Sequence, residues 1–572
     1  MPQGTPIIAK RPTGNDALTP TTAPAPSKPT HTDPPPVKTL SIGKEDAAPK
    51  APKVLSLDVS TPSAPASKPD ASAEEGAKTA ATKAIEKTEK ASSTSGQASP
   101  SPSSGRSSPS APEKKDSKRE ADAVAKEQAD AVDDEVLEEI YGKEHVNVIF
   151  IGHVDAGKST LGGSILYATG MIDERTMDKN RREAKEAGRE TWYISWALDL
   201  TREERSKGKT VEVGRGFFET EKRRYTILDA PGHKTFVPSM LSGASQADVG
   251  ILVISSRKGE YETGFEKGGQ TREHAILAKT QGVNKLVIVV NKMDDPTVEW
   301  SQARYKECTE KLGSFLGRQV GYSKSDLTFM PISAQTSIGI KDRVPKKLAP
   351  WYDGPSLLEY LDSLKTLERK VKAPFMMPVN GKYKDMGVMI EGKIEAGQIK
   401  KENKYLMMPN REEVTISALY GETEDEIPAA TCGDQIRLRV RGIEEEDILP
   451  GFVLCAPKRP VHCVNAFEAQ IMLLELKSIL SAGFNCVLHI HSAIEEVTFA
   501  ELLHKLEKGT GRKSKKPPPF GKQGMSIIAR LEVISGAGKV CVERYEDYAQ
   551  LGRFTLRDQV CNTFHGLHPH CS

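Results

Sequence analysis

Residues 146–159 read VNVIFIGHVDAGKS, and their order decides the class of the domain they open. The largely apolar run from Val146 to Ile151 has the length of a buried strand, Gly152 opens a turn, and a polar segment of helical length follows Ser159. From Gly152 to Ser159 two glycines flank four residues and are followed by Lys and Ser, the spacing of a phosphate-binding loop between a strand and a helix. Each residue type has a physical task. Gly157 lets the backbone wrap so that its amides face a phosphate, Lys158 spreads positive charge over β and γ oxygens, and Ser159 offers a hydroxyl to magnesium. The candidate cradle is Gly152, His153, Val154, Asp155, Ala156, Gly157, Lys158, Ser159 and Thr160. By itself it does not distinguish ATP from GTP.

Three later segments address that choice. DAPGH at 229–233 follows the apolar run YTIL, so that Asp229 reaches magnesium through water and the Gly232 amide is free for a γ-phosphate. NKMD at 291–294 (Asn291, Lys292, Asp294) follows KLVIVV, and the Asp294 carboxylate accepts the paired ring and exocyclic N–H donors of guanine, an edge adenine lacks. An unpaired buried carboxylate is costly, so the site should reject ATP. Ser333, Ala334 and Gln335 follow LTFMPI and are similar to the last guanine-contacting loop of GTPases, where backbone amides meet the base oxygen.

Comparable apolar runs at VGILVISS and LTFMPISA alternate with helix-length segments such as TREHAILAKTQG and SQARYKECTEKLGSFLG. That alternation predicts a doubly wound α/β nucleotide domain over 141–371. Beyond it, short alternating strands such as MGVMIEGKIEAG and DQIRLRVRGI predict two β-barrels, 373–458 and 459–572. Residues 1–140 contain no Phe, Trp or Tyr and are rich in Pro, Ala, Ser, Thr and Lys, which predicts a disordered region. Near its end, Val132, Val136 and Ile140 recur at helical spacing and predict a short helix.

The formal charge of +2, from 80 basic and 78 acidic residues, creates no global field toward nucleic acid or membrane. No apolar stretch approaches the roughly 18 residues of a membrane span, and the eight cysteines lack paired spacings. A reduced, cytoplasmic setting is expected.

GHVDAGKST, DAPGH and NKMD together resemble the elongation-factor branch of GTPases, in which a histidine follows the DxxG motif. The resemblance implies that His233 orients the attacking water, and that Thr210 closes over magnesium and γ-phosphate, giving a metal set of Ser159, Thr210 and Asp229. More narrowly, GRETWYISWALDLTREERSKGKTVEVG, ILDAPGHKTFVPSM, SGASQAD, RKGEYETGFEKGGQTREHA and NKMDDPTVEW resemble the GTP-binding subunit of the eukaryotic peptide-chain release factors. KGKTVEVG, with Lys209, stands where tRNA-delivering elongation factors have a glycine, an aliphatic residue and a threonine. The similarity continues through KYKDMG, RGIEEEDILPGF, HIHSAIEEV and GRFTLRD, covering about 141–558.

The resemblance implies a ribosome-activated GTPase that uses GTP, GDP and Mg2+ and partners the stop-codon-reading class I release factor, chiefly through the last barrel. Delivery of tRNA or of a ribosome-rescue factor, and a GTP-gated scaffold in mRNA surveillance, are the alternatives. The chain is expected to act as a monomer, on neither membrane nor DNA. Arg512, Lys513, Lys515 and Lys516 of GRKSKKPPP are candidates for contact with ribosomal RNA phosphates. No Phe precedes Phe150, whereas many family members dock poly(A)-binding protein through a phenylalanine, so that partner is not expected.

The chain departs from the family pattern after Asp558, where QVCNTFHGLHPHCS replaces a β-branched closing strand. An open edge on the last barrel is therefore expected. A frame run into non-coding sequence accounts for this better than a metal cluster of Cys561, His565, His568, His570 and Cys571.

Overall fold

A computed structural model describes residues 142–558 and 562–570, apart from 267–268, 366, 423–424, 475–478, 508 and 535–537. The expectations for residues 1–140 and for a cluster of tail side chains lie outside the described residues.

The first domain is built on six strands: β1 (Glu144–Ile151), β2 (Gly214–Glu219), β3 (Arg223–Asp229), β4 (Val249–Ser255), β5 (Lys285–Asn291) and β6 (Leu327–Pro331). Their order is β2-β3-β1-β4-β5-β6, parallel throughout except for β2, an antiparallel edge strand that the sequence reading did not single out. Both faces are covered. Ile149, Ile151, Leu228, Leu252, Ile254, Ile288 and Val290 pack into one core, and the alternate residues Val148, Phe150, Ile227, Ile251, Val253, Val287 and Val289 into the other. That two-sided burial explains why these strands read as continuous apolar runs. The helices are α1 (Lys158–Ala168), α2 (Glu174–Glu186), α3 (Arg202–Lys207), α4 (Val237–Gln246), α5 (Glu260–Phe265), α6 (Gln270–Thr280), α7 (Gln302–Phe315) and α8 (Leu357–Asp362). The order reverses at β1, between β3 and β4, which places a crevice at the carboxyl ends of the strands.

The middle domain wraps a seven-stranded antiparallel sheet, with a separate ladder of 398–400 on 429–431, around a core containing Phe375, Ile390, Val414 and Leu438. Against it the first domain places buried ions. His145 pairs with Glu422 and lies 3.4 Å from Asp434, while Asp248 receives Lys393 at 2.9 Å and Arg369 at 3.1 Å.

The last domain is a closed barrel, in the order Ala466–Leu473, Ser526–Val533, Ala493–Leu506, Asn485–Ile490, Arg553–Arg557 and Asn562–His570. The expected open edge is thus corrected. Asn562–His570 pairs antiparallel with both Ala466–Leu473 and Arg553–Arg557, because a ladder is made by backbone groups and does not require β-branched side chains. Pro569 falls where the register against Glu468 and Gln470 shifts, a position at which a residue without N–H is tolerated. Phe467, Phe499 and Phe554 fill the interior, each burial contributing about 1.5–3 kcal/mol. His491 Nε2 donates to the Cys541 carbonyl oxygen at 3.1 Å, which makes this buried histidine a structural one.

Candidate functional site

A cleft of about 570 Å³ opens at the carboxyl ends of the strands. The loop after β1 forms its floor. Gly152 (φ 141°) passes so close to β4 that a Cβ there would lie 2.2 Å from the Val253 carbonyl oxygen, and Gly157 (φ 94°) caps α1 in the left-handed region. Lys158 is buried, and its ammonium folds back to donate to the carbonyls of His153 at 2.9 Å and Gly152 at 3.3 Å. Burial lowers its pKa, with Asp229 as the largest opposing influence.

Of the candidate cradle, Val154, Asp155, Gly157, Lys158, Ser159 and Thr160 line the cleft. Gly152 and Ala156 contribute backbone instead, and the His153 side chain turns away toward Gly264 and Thr271. Behind the loop, buried His274 accepts the Gly152 N–H at Nδ1, and burial pushes its pKa down to about 3, so the neutral ring serves as acceptor.

At the phosphate end, Asp229 is wholly buried and neither carboxylate oxygen has a hydrogen-bond partner among the described residues. Burial pushes its pKa up to about 7. Ser159 Oγ lies 3.2 Å from Thr210 Oγ1, and the Thr210 hydroxyl is 3.4 Å from Asp199, a buried acid raised to about 6 by burial. Thr210 is held by the segment before it. Thr201 and Glu204 cap α3 reciprocally, and Glu204 also accepts the Val211 N–H at 3.0 Å. Gly208 (φ 63°) ends that helix against Trp192, where a Cβ would meet the indole at 2.0 Å. An unpartnered buried carboxylate beside two hydroxyls is a hard-oxygen donor set, and it fits magnesium.

Gly232 is equally constrained, since a Cβ there would lie 2.5 Å from Lys158 Nζ. The next residue, His233, lines the cleft with its Nδ1 2.8 Å from Thr235 Oγ1, an arrangement that fixes the ring and leaves Nε2 unused among the described residues.

At the far end, Asn291 Nδ2 donates to the Ala156 carbonyl at 2.9 Å, and its Oδ1 accepts the Ala334 N–H at 2.9 Å. Lys292 (φ 62°) donates to Glu260 at 2.8 Å. The two adjacent acids divide their tasks: buried Asp295 accepts from Thr297 and Arg257, whereas exposed Asp294 faces the cleft with no hydrogen bond among the described residues. Ala334 and Gln335 line the cleft. Ser333 does not, because its N–H is bound to the Ile338 carbonyl and its hydroxyl accepts the Thr336 N–H.

Sequence reading did not find Asp199, Trp192, Arg257 or Glu260, which also line the cleft. Asp199 carries only a faint signal, an acid upstream of Thr210 in a polar segment. The others approach through tertiary packing.

Residues 143–367 match the family described as Elongation factor Tu GTP binding domain, and residues 466–564 match GTP-eEF1A C-terminal domain-like. Over 440 residues the chain is 64% identical to the eukaryotic peptide chain release factor GTP-binding subunit of Debaryomyces hansenii, an alignment spanning 77% of this chain and 62% of that relative. The chain thus covers less than two thirds of that relative's length. It is 54% identical to the solved structure of sup35 complexed with GDP, over 77% of this chain and 97% of the other, with a TM-score of 0.35. The GTPase-like domain of Ski7 from S. cerevisiae, solved bound to GTP, is 17% identical with a TM-score of 0.63, over 77% of this chain and 100% of that one, and it shares the fold.

Proposed function

The chain belongs to the family of eukaryotic peptide chain release factor GTP-binding subunits, and on that premise we propose that it is a GTPase which acts on the ribosome with the stop-codon-reading class I release factor in translation termination. The cytoplasm is its proposed place of action. The observation that carries the reading is one cleft lined at one end by the exposed, uncommitted Asp294 carboxylate and backed at the other by that of Asp229, wholly buried beside Lys158 and Ser159.

Asp294 accepts the two N–H donors of guanine, and adenine would leave it unpaired. The amides of the loop from Val154 to Thr160, together with Lys158, hold the phosphates. Once a triphosphate is bound, the Lys158 ammonium exchanges its two carbonyl acceptors for phosphate oxygens, which restores its charge preference. Ser159 and Thr210 would hold magnesium directly and Asp229 through water, and the ion would neutralise phosphate charge. Gly232, without a side chain, leaves its amide open toward the γ-phosphate. His233, one residue on, orients the attacking water.

The test is GTP turnover on ribosomes with either a class I release factor or aminoacyl-tRNA added. Stimulation by the release factor alone is expected. Stimulation by aminoacyl-tRNA alone would overturn the reading in favour of tRNA delivery.

A further inference from the structure

Two short strands outside the closed barrel, His462–Val464 and Val540–Val542, form an antiparallel ladder in which Cys463 stands directly opposite Cys541. Their sulfurs are 3.3 Å apart. Directly opposed residues in such a ladder have Cα atoms roughly 4.5–5.5 Å apart, inside the range of roughly 4.4–6.8 Å that a disulfide spans. The ladder brings the two residues together across 78 positions of sequence, so sequence spacing gives no sign of the pair.

The two thiols are unequally placed. Cys463 is half-buried and open to a small reagent, whereas Cys541 is 2% exposed. The Cys541 thiol donates toward Cys463 and, with Lys539 and Arg411 nearby, lowers the Cys463 pKa against the effect of burial. Burial instead raises Cys308 and Cys432 to about 11 and Cys455 and Cys486 to about 12. Cys463 is therefore the described cysteine best suited to react as a thiolate. The pair also borders the packing between the last two domains, where Cys541 shares a cluster with Met376, Met408, Val461, Tyr548 and Leu551.

We propose that Cys463 and Cys541 are a hydroperoxide-oxidised dithiol site, with Cys463 as the attacking and Cys541 as the resolving sulfur. The Cys463 thiolate attacks one peroxide oxygen, the O–O bond breaks, and the leaving oxygen takes up a proton to depart as an alcohol, or as water from hydrogen peroxide. Cys463 is left as a sulfenic acid. Cys541 then attacks that sulfur, an S–S bond forms, and the hydroxyl leaves as water with the proton Cys541 gives up. Overall, two thiols are oxidised by two electrons to one disulfide and the peroxide is reduced. The product fastens the two strands beside the seam between the domains.

The experiment uses the full chain, treated with hydrogen peroxide, unfolded in denaturant and titrated for thiols. The sequence contains eight cysteines, and the site predicts a loss of two thiols per chain, a non-reduced peptide pair joining Cys463 to Cys541, and recovery with dithiothreitol. Cys541→Ser should hold Cys463 as a sulfenic acid trapped by dimedone. Cys463→Ser should slow thiol loss by about tenfold or more, since the activated thiolate is gone. An unchanged thiol count, a disulfide joining other cysteines, or equal oxidation of Cys541 in Cys463→Ser would overturn the proposal.

Discussion

Asn291 Nδ2 donates to the backbone carbonyl of Ala156 at 2.9 Å, so the end of β5 is tied to the phosphate loop from behind. The same side chain accepts the Ala334 N–H at 2.9 Å. One amide thereby sets the spacing between the base end and the phosphate end of the cleft.

Replacing Asn291 with Ala strands two buried backbone groups, each at a cost of about 1–3 kcal/mol. Denaturant unfolding should register that loss, and GDP titration should show affinity reduced by tenfold or more, about 1.4 kcal/mol. Unchanged affinity would mean that the bridge has no part in shaping the cleft.

Asp294→Asn exchanges an acceptor for a donor where the guanine N–H pair is placed. GDP affinity should fall by about two orders of magnitude or more. Xanthosine diphosphate, which carries an oxygen in place of the exocyclic amine, should bind the variant better than the wild type. Equal preference for the two nucleotides before and after the change would remove Asp294 from the base site.

His233→Ala removes a ring that is fixed by Thr235 and tilted against Phe236, 6.1 Å between centroids. Nucleotide affinity should stay within about twofold, and ribosome-stimulated turnover should fall by about 10²–10⁴-fold. Equal turnover by the two proteins would refute the role given to this histidine.

His145 supplies a pH test away from the cleft. Burial disfavours its charged form, but Glu422 and Asp434 outweigh burial and hold the pKa at about 9, above the ordinary 6.5. Because the folded value is the higher one, the stabilisation is fully present below about pH 6.5 and is lost as pH rises through about 9, up to about 3 kcal/mol in all. Denaturant midpoints of the wild type and His145→Gln should converge over that window, and parallel curves would contradict the ion pairing.

Ending the chain after Asp558 removes Asn562–His570 and opens both flanking ladders, whose bonds contribute about 1 kcal/mol net each. The last domain should then unfold at lower denaturant while GDP binding is retained. An unaltered unfolding profile would show that the strand adds nothing to the barrel.

The nucleotide loops were legible in the sequence because their geometry restricts residue type locally. Gly152, Gly157 and Gly232 stand where a Cβ would strike a neighbour, so the sequence records the shape directly. The parallel strands were legible for a related reason, since burial on both faces leaves no room for alternation. Asp199 and Glu260 were not legible, because what makes them part of the site is Thr210 in one case and Lys292 in the other, reached by folding. The closing strand departs from the expectation because its side chains were taken as the evidence, whereas its place is set by the backbone edges that Ala466–Leu473 and Arg553–Arg557 offer to it.

Helix α4 starts four residues after His233 and ends two residues before Asp248, whose carboxylate is held by Lys393 of the middle domain and by Arg369 of the segment leading into it. At 1.5 Å per residue it is a strut about 15 Å long. Gln435 fastens to its last residue, Gln246, at 3.2 Å. A push on the loop at one end must therefore swing the middle domain or pull Asp248 off its cations, and stripping a buried carboxylate of its partners costs about 3–5 kcal/mol. The strut is thus a connecting rod between the loop that carries His233 and the carboxylate on which the middle domain is fastened.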